Sequence, residues 1–243
     1  MEGLGPEEWQ AVWLSVRVAA TATLFSVPLG LLAALALARG RFPGRWAFNI
    51  LVHLPLIMPP VVTGYLLLLA FGRKGPLGAF FDEVFGLVFA FRWTGAALAA
   101  GVMGFPLVVR AIRLAIEAVD PRLEEAAATL GASRWRIFAT VTLPMILPGI
   151  LAGAVLGFAK GLGEFGATIT FVSNIPGETQ TLASAIYAVL QVPGQEAAVG
   201  RMISLKISFT ASAIGCSSPI GPTRLGPTRI CIQPISLRSQ YVR

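Results

Sequence analysis

Apolar residues run through this chain in long blocks, and the polar stretches between them are short. Ala11 to Ala38 is the first block, with Arg17 near one end and Pro28 inside. Phe48 to Phe71 is the second, and Thr94 to Val109 the third, its helix continuing toward Val119. A fourth begins near Ile146 and carries "AKGLGEFGATITFV"; a fifth, Ala197 to Gly215, contains Arg201 and Lys206. About 20 apolar residues span a bilayer as a helix. The pattern therefore predicts an all-α, polytopic membrane helical bundle of about five spans. Gly95, Gly101 and Gly104 in the third span permit close helix packing. The segments at 72–93 and 173–196 read as connections, the second with a short amphipathic "LASAIYAVLQ".

Composition agrees with the blocks. Hydrophobic residues make up 55% of the 243 and charged residues 13%, against roughly 25% in soluble domains. The formal charge is +7. Its arginines flank apolar blocks, so the surplus points to membrane topology and not to nucleic acid. Three basic residues lie at 39–45 and five at 110–136, against three at 72–93 and none at 173–196. Lys and Arg favour the cytoplasmic side, which places the N-terminus outside. "MEGLGPEEW" has no basic residue, so it does not read as a signal peptide, whose start is positive. Cys216, Cys231 and the single His53 have no metal-ligand spacing. The expectation is no metal, no cofactor and no catalytic residue in this chain.

The segment at 120–144 is unlike the rest. Asp120-Pro121 is a helix start, an acid at the cap and proline at the first position. Glu124 and Glu125 suit the positive end of that helix. Alanines follow, and Gly131 is a natural C-cap. Ser133 opens a second helix on which Trp135, Phe138 and Val141 share a face. The expected product is helix, glycine, helix on the cytoplasmic side. Two readings stay open on these grounds: a solvated, salt-bridged loop, or a knob that fits a groove on a soluble partner.

Two other features carry candidate chemistry. Pro55, Pro59 and Pro60 cannot all sit in a regular helix. Irregular backbone at membrane depth persists where protein covers it or where it lines a wet cavity, so a kinked packing helix and a broken helix beside a pathway both fit. Lys160 and Glu164 lie one turn apart, where ionisable groups are costly unless paired or wet. They read either as an intrahelical pair or as part of a helix thinned by Gly161, Gly163 and Gly166 beside a pathway. Candidate path residues are Pro59, Pro60, Gly163, Glu164, Gly166 and Thr168. An anion on such a path would be repelled by Glu164, whereas backbone N–H groups would hold it better.

The spacing Glu125-Ala126-Ala127, three residues, Gly131, nine residues, Val141, one residue, Leu143-Pro144 resembles the EAA loop of ABC importer permeases. Valine stands at 141 where isoleucine is usual. "FPGR", "HLPLIMPPVVTGYLLL", "FPLVVRAIRLAIEAVD" and "LGEFGATITFVSNIPGETQT" resemble the molybdate group of that family over about residues 6–203. The resemblance implies a type I importer permease in the bacterial inner membrane, working as a homodimer. It implies two copies of a separate cytoplasmic ABC ATPase and a periplasmic oxyanion-binding protein as partners. It makes Glu125, Ala126, Ala127, Gly131, Arg134, Trp135, Leu143 and Pro144 the ATPase-coupling residues. The chain has no G-x-x-x-x-G-K-[ST] loop, and "GRKGPLG" at 72–78 is not one, so ATP hydrolysis is expected on another polypeptide. Sulfate or tungstate is the alternative cargo, and a stand-alone channel or scaffold the alternative class.

The resemblance stops near 201–207. Beyond it "GPTR" occurs twice and prolines recur, which rules out a spanning helix. The expected division is a permease domain at 1–206 and an aberrant, disordered tail at 207–243, with the fifth helix short, poorly packed or absent. A shifted reading frame or rearranged gene end accounts for the tail; a genuine cytoplasmic extension is the alternative.

Overall fold

A computed structural model describes residues 6–40, 42–192 and 196–213, and these fold into helices with no strand among them. Helix α1 (Pro6–Arg39), α5 (Trp93–Glu117) and α8 (Leu143–Gly163) form the centre. Between them lie α2 (Arg45–Ile57), α3 (Pro60–Phe71), α4 (Pro76–Phe85), α6 (Pro121–Thr129) and α7 (Arg134–Ile137). After α8 come α9 (Gly166–Val172), α10 (Leu182–Leu190) and α11 (Glu196–Ala213).

The central helices touch through small residues. A Cβ on Gly161 would sit 3.3 Å from Ala19, and one on Gly104 would sit 3.4 Å from the Gly157 carbonyl. Apolar lipid tails offer little hydrophobic drive between helices, so close van der Waals packing of this kind holds them. Ala19, Ala34, Ala96, Ala99, Val108 and Ile112 are fully buried along the three-helix contact. Large apolar side chains point outward instead, among them Trp46, Leu51, Ile57 and Leu151.

Among the described residues three helices are long and apolar enough to span: Glu8–Arg39, Trp93–Glu117 and the continuous run Arg134–Gly163. The second apolar block is not one helix. It is α2 and α3, bent by 115° at the Met58-Pro59 break. Met58 is extended, with ψ 146°, as a residue before proline must be. Pro60 then starts α3 at a position where a missing N–H costs nothing. Counting the bent pair as one span gives four among the described residues, against the expected five. The difference lies in α11, where Glu196, Arg201 and Lys206 interrupt the apolar run. The helix itself is present, and Met202 is buried in a cluster with Ala11, Val12, Leu182 and Ile186. It runs past residue 206 to Ala213. The rest of the tail lies outside the described residues.

The connections hold more structure than their polarity suggests. α4 occupies the 72–93 segment, backed by the edge-on rings of Phe71, Phe81 and Phe89. α10 is buried from Leu182 to Ile186. It is pinned to α1 by the Leu182 amide, which donates to Ser15 Oγ at 2.7 Å.

Candidate functional site

The segment at 120–144 folds as a knob at one end of the bundle, and its caps are those the sequence dictates. Asp120 Oδ1 accepts the Arg122 amide at 3.0 Å. At the other end of α6 the Ala132 amide donates to the Ala127 carbonyl (3.2 Å) and the Gly131 amide to the Ala128 carbonyl (3.0 Å). This pair of bonds is a Schellman cap, and it needs the left-handed residue that follows the helix. Gly131 supplies it with φ +81°.

Beyond the glycine the structure differs from a separate second helix. α7 continues through a wide turn, Phe138–Thr142, directly into α8. The Leu143 amide donates to the Phe138 carbonyl, five residues back. Proline at 144 has no N–H and would crowd the carbonyl four residues earlier in a regular helix; the widened turn relieves that conflict. The second helix of the knob is therefore the first turns of the fourth span, which starts at Arg134 rather than near Ile146.

The coupling candidates divide by exposure. Trp135 is 82% exposed and Leu130 88%, on either side of Gly131. Leu123, Glu125, Ala126, Arg134 and Pro144 are exposed as well, while Ala127 and Leu143 are half-buried. The Trp135 ring stands edge-on to Phe138, with centroids 6.4 Å apart. An apolar tip of this kind surrounded by Glu125, Arg134 and Arg136 matches the anatomy of a docking surface, with an aromatic anchor and a charged rim.

Glu124, which the sequence offered only as a partner of the helix dipole, has a larger role. Its Oε1 accepts from both Arg39 Nη2 and Thr142 Oγ1, the latter at 2.5 Å. Burial opposes its charge, but the hydrogen bonds from Arg39 and Thr142 and the Arg39 charge outweigh burial and hold the carboxyl below its usual range. Arg39 is 85 residues away along the chain, so no local pattern announces the contact. A cavity of about 520 Å³ opens beside it, bounded by Arg39, Arg45, Glu117 and Pro121.

The path candidates lie at the far end of α8. The fourth apolar block breaks at Glu164-Phe165, so α8 and α9 are separate. Lys160 Nζ donates to Glu164 Oε2 at 2.8 Å, and Glu164 Oε1 accepts the Ala167 amide at 3.1 Å. The pair therefore bridges a helix break instead of lying within one helix. Glu164 is 3% exposed and already accepts the Ala167 amide in the first turn of α9. Pro60 and Gly166 meet: a Cβ on Gly166 would lie 2.7 Å from Pro60 Cβ. Gly64 is pressed against Ala167, where a Cβ would come within 2.5 Å of the carbonyl oxygen. The two broken blocks thus abut through α3 and α9. Thr168 is buried in this contact region, and Pro59 and Gly163 are exposed. Thr63 Oγ1 on α3 is buried without a hydrogen-bond partner, a feature its sequence context did not signal. His53 Nδ1 pairs with the Asn49 carbonyl at 2.9 Å, the bond of a packed imidazole. Among the described residues no group of three or more His, Cys, Asp or Glu side chains is placed to hold a metal.

Comparison with known proteins gives consistent matches. Residues 26–216 match the family model described as binding-protein-dependent transport system inner membrane component. The chain is 58% identical over 202 residues to the molybdenum transport system permease protein ModB of Escherichia coli K12, covering 83% of this chain and 88% of that protein. It is 37% identical over 186 residues to the sulfate transport system permease protein CysT of the same organism, covering 76% and 67%. Among solved structures, an inward-facing form of the MetNI methionine ABC transporter superposes with TM-score 0.68 at 16% identity, covering 88% of this chain and 95% of that one.

Proposed function

Because this chain belongs to the family of binding-protein-dependent transport system inner membrane components, we propose that it is the permease subunit of an ATP-driven molybdate importer. It is a multi-pass protein of the bacterial inner membrane, built on the fold of type I importer permeases. The 58% identity to a molybdenum permease, against 37% to a sulfate permease, favours molybdate over sulfate as cargo. The observation that carries the mechanism is the knob: an exposed Trp135 and Leu130 on a capped helical turn that continues as a membrane-spanning rod.

In this reading the permease catalyses nothing itself. Two copies of it pair side by side, each docking one cytoplasmic ATPase on its knob through Glu125, Ala126, Ala127, Gly131, Arg134, Trp135, Leu143 and Pro144. A periplasmic binding protein delivers the oxyanion on the opposite face. The region where α3 meets α9 and the end of α8, with Pro59, Pro60, Gly163, Glu164, Gly166 and Thr168, flanks the path. Glu164 keeps α9 attached to α8 and is not a ligand for the anion, since a dianion beside a buried carboxylate is repelled.

The orientation has a direct test. Reporter fusions after Arg45 or Gly131 are expected to read as cytoplasmic, and fusions after Gly75 or Gly177 as external, because the basic residues concentrate around the first two points. The inverted pattern would overturn the assignment of the knob to the ATPase side. The cargo is tested by uptake. Expressed with its ATPase and binding protein in cells lacking their own molybdate permease, the chain is expected to restore molybdate accumulation, with excess sulfate competing weakly. Strong competition by sulfate at equal concentration would make sulfate the cargo.

A further inference from the structure

Helix α6 buries none of its own residues, so packing alone does not hold it against the membrane helices. What crosses the gap is the Glu124 carboxylate. One oxygen, Oε1, receives both Arg39, the last residue of α1, and Thr142, fully buried in the wide turn that begins α8. Charge-assisted hydrogen bonds of this kind are about twice as strong as neutral ones. They tie the docking helix to two of the three central helices at a single point. Glu125, its neighbour, is exposed and does not take part in this contact.

Resting on the permease reading above, we propose that Glu124 is a positioning residue that transmits movement of the ATPase-docked helix α6 to α1 and α8. The docking face is made by other side chains, so this role separates from docking itself. Without the carboxylate, α6 can still carry its partner but loses its tie to α1 and to the turn before α8, and is left joined to α8 through Gly131 and α7. Less of its movement then reaches the far end of α8, where α9 and α3 meet.

The test uses the whole transporter in nanodiscs, with permease, ATPase and binding protein, carrying Glu124→Gln, Arg39→Gln or both, and Thr142→Val and Arg39→Lys as further variants. ATPase retained on the permease is expected to stay within about twofold, because the docking face is untouched. ATP hydrolysis stimulated by the loaded binding protein is expected to fall about tenfold for Glu124→Gln, a usual coupling between two sites. The double variant is expected to be no worse than the poorer single one, as for residues acting through one contact. Arg39→Lys, which keeps the charge, is expected to retain most stimulation. Unchanged stimulation in Glu124→Gln and Thr142→Val, or losses that add in the double variant, would overturn the proposal. So would loss of the ATPase itself from the Glu124 variants, since Glu124 would then belong to docking. If the unsubstituted permease retains no ATPase, the permease reading fails and this role with it.

Discussion

Replacing Trp135 by alanine is expected to strip the ATPase from the permease while leaving the permease folded. The side chain is 82% exposed, so its removal costs the isolated chain little; surface changes of this kind stay within about 0.5 kcal/mol. Among the described residues its ring neighbour is Phe138, edge-on at 6.4 Å, itself half-buried. On a partner the same indole is the largest apolar group at the tip of the knob. Central tryptophans of this kind cost about 2 kcal/mol or more when truncated, about thirtyfold in affinity. Titration of the ATPase onto immobilised permease reads the effect. Unchanged affinity would show that the partner grips another surface, and Leu130, on the other side of Gly131, would have to be spared as well for the knob to be excluded.

Gly64→Val is expected to be strongly damaging at the opposite end. A Cβ at 64 meets the Ala167 carbonyl oxygen at 2.5 Å, the Ala167 Cα at 2.9 Å and Thr170 Cβ at 3.0 Å. Two of these are backbone atoms and cannot rotate away, so α3 must separate from α9. Overpacking costs about 1–3 kcal/mol where a core can adjust, and a β-branched residue against backbone lies at the upper end. The expected result is a lower thermal unfolding temperature in detergent and loss of transport, with Gly64→Ala intermediate. Docking of the ATPase is expected to survive, because the run Arg134–Gly163 has 30 residues and so separates the two ends by about 45 Å. A fully active Gly64→Val protein would show that the α3–α9 contact opens without cost.

These two sites differ in how far the sequence disclosed them. The knob was legible because its signals are local: Asp120 and Pro121 start a helix, Gly131 ends it, and each acts within one turn. An irregularity around Pro59 and Pro60 was legible for the same reason, since proline lacks an N–H wherever it stands, but its form as a 115° break at Met58-Pro59 was not. The break at Glu164-Phe165 was not, because no proline marks it and the apolar block continues across it. The fusion of α7 to α8 was also hidden. The fourth block was expected to begin near Ile146, and the wide turn at Phe138–Thr142 lets one helix pass from α7 through Pro144 into α8. The Glu124–Arg39 contact joins residues 85 apart, and the insertion of α10 depends on Ser15 meeting Leu182, 167 residues away. The apolar stretch at 197–215 was legible as interrupted by Arg201 and Lys206; it forms helix α11 through Ala213, which is not among the candidate spans found in the described residues.

The central claim is that a separate ATPase drives an oxyanion through this chain by way of the knob at 120–144. Proteoliposomes holding the permease, with the ATPase and molybdate-loaded binding protein supplied on opposite faces, test it most directly through ATP-dependent accumulation of radioactive molybdate. The account predicts accumulation that requires both partners and ATP, and that disappears with Trp135→Ala while the permease remains in the membrane. Molybdate entering at the same rate without the ATPase, or with the knob variant, would contradict it.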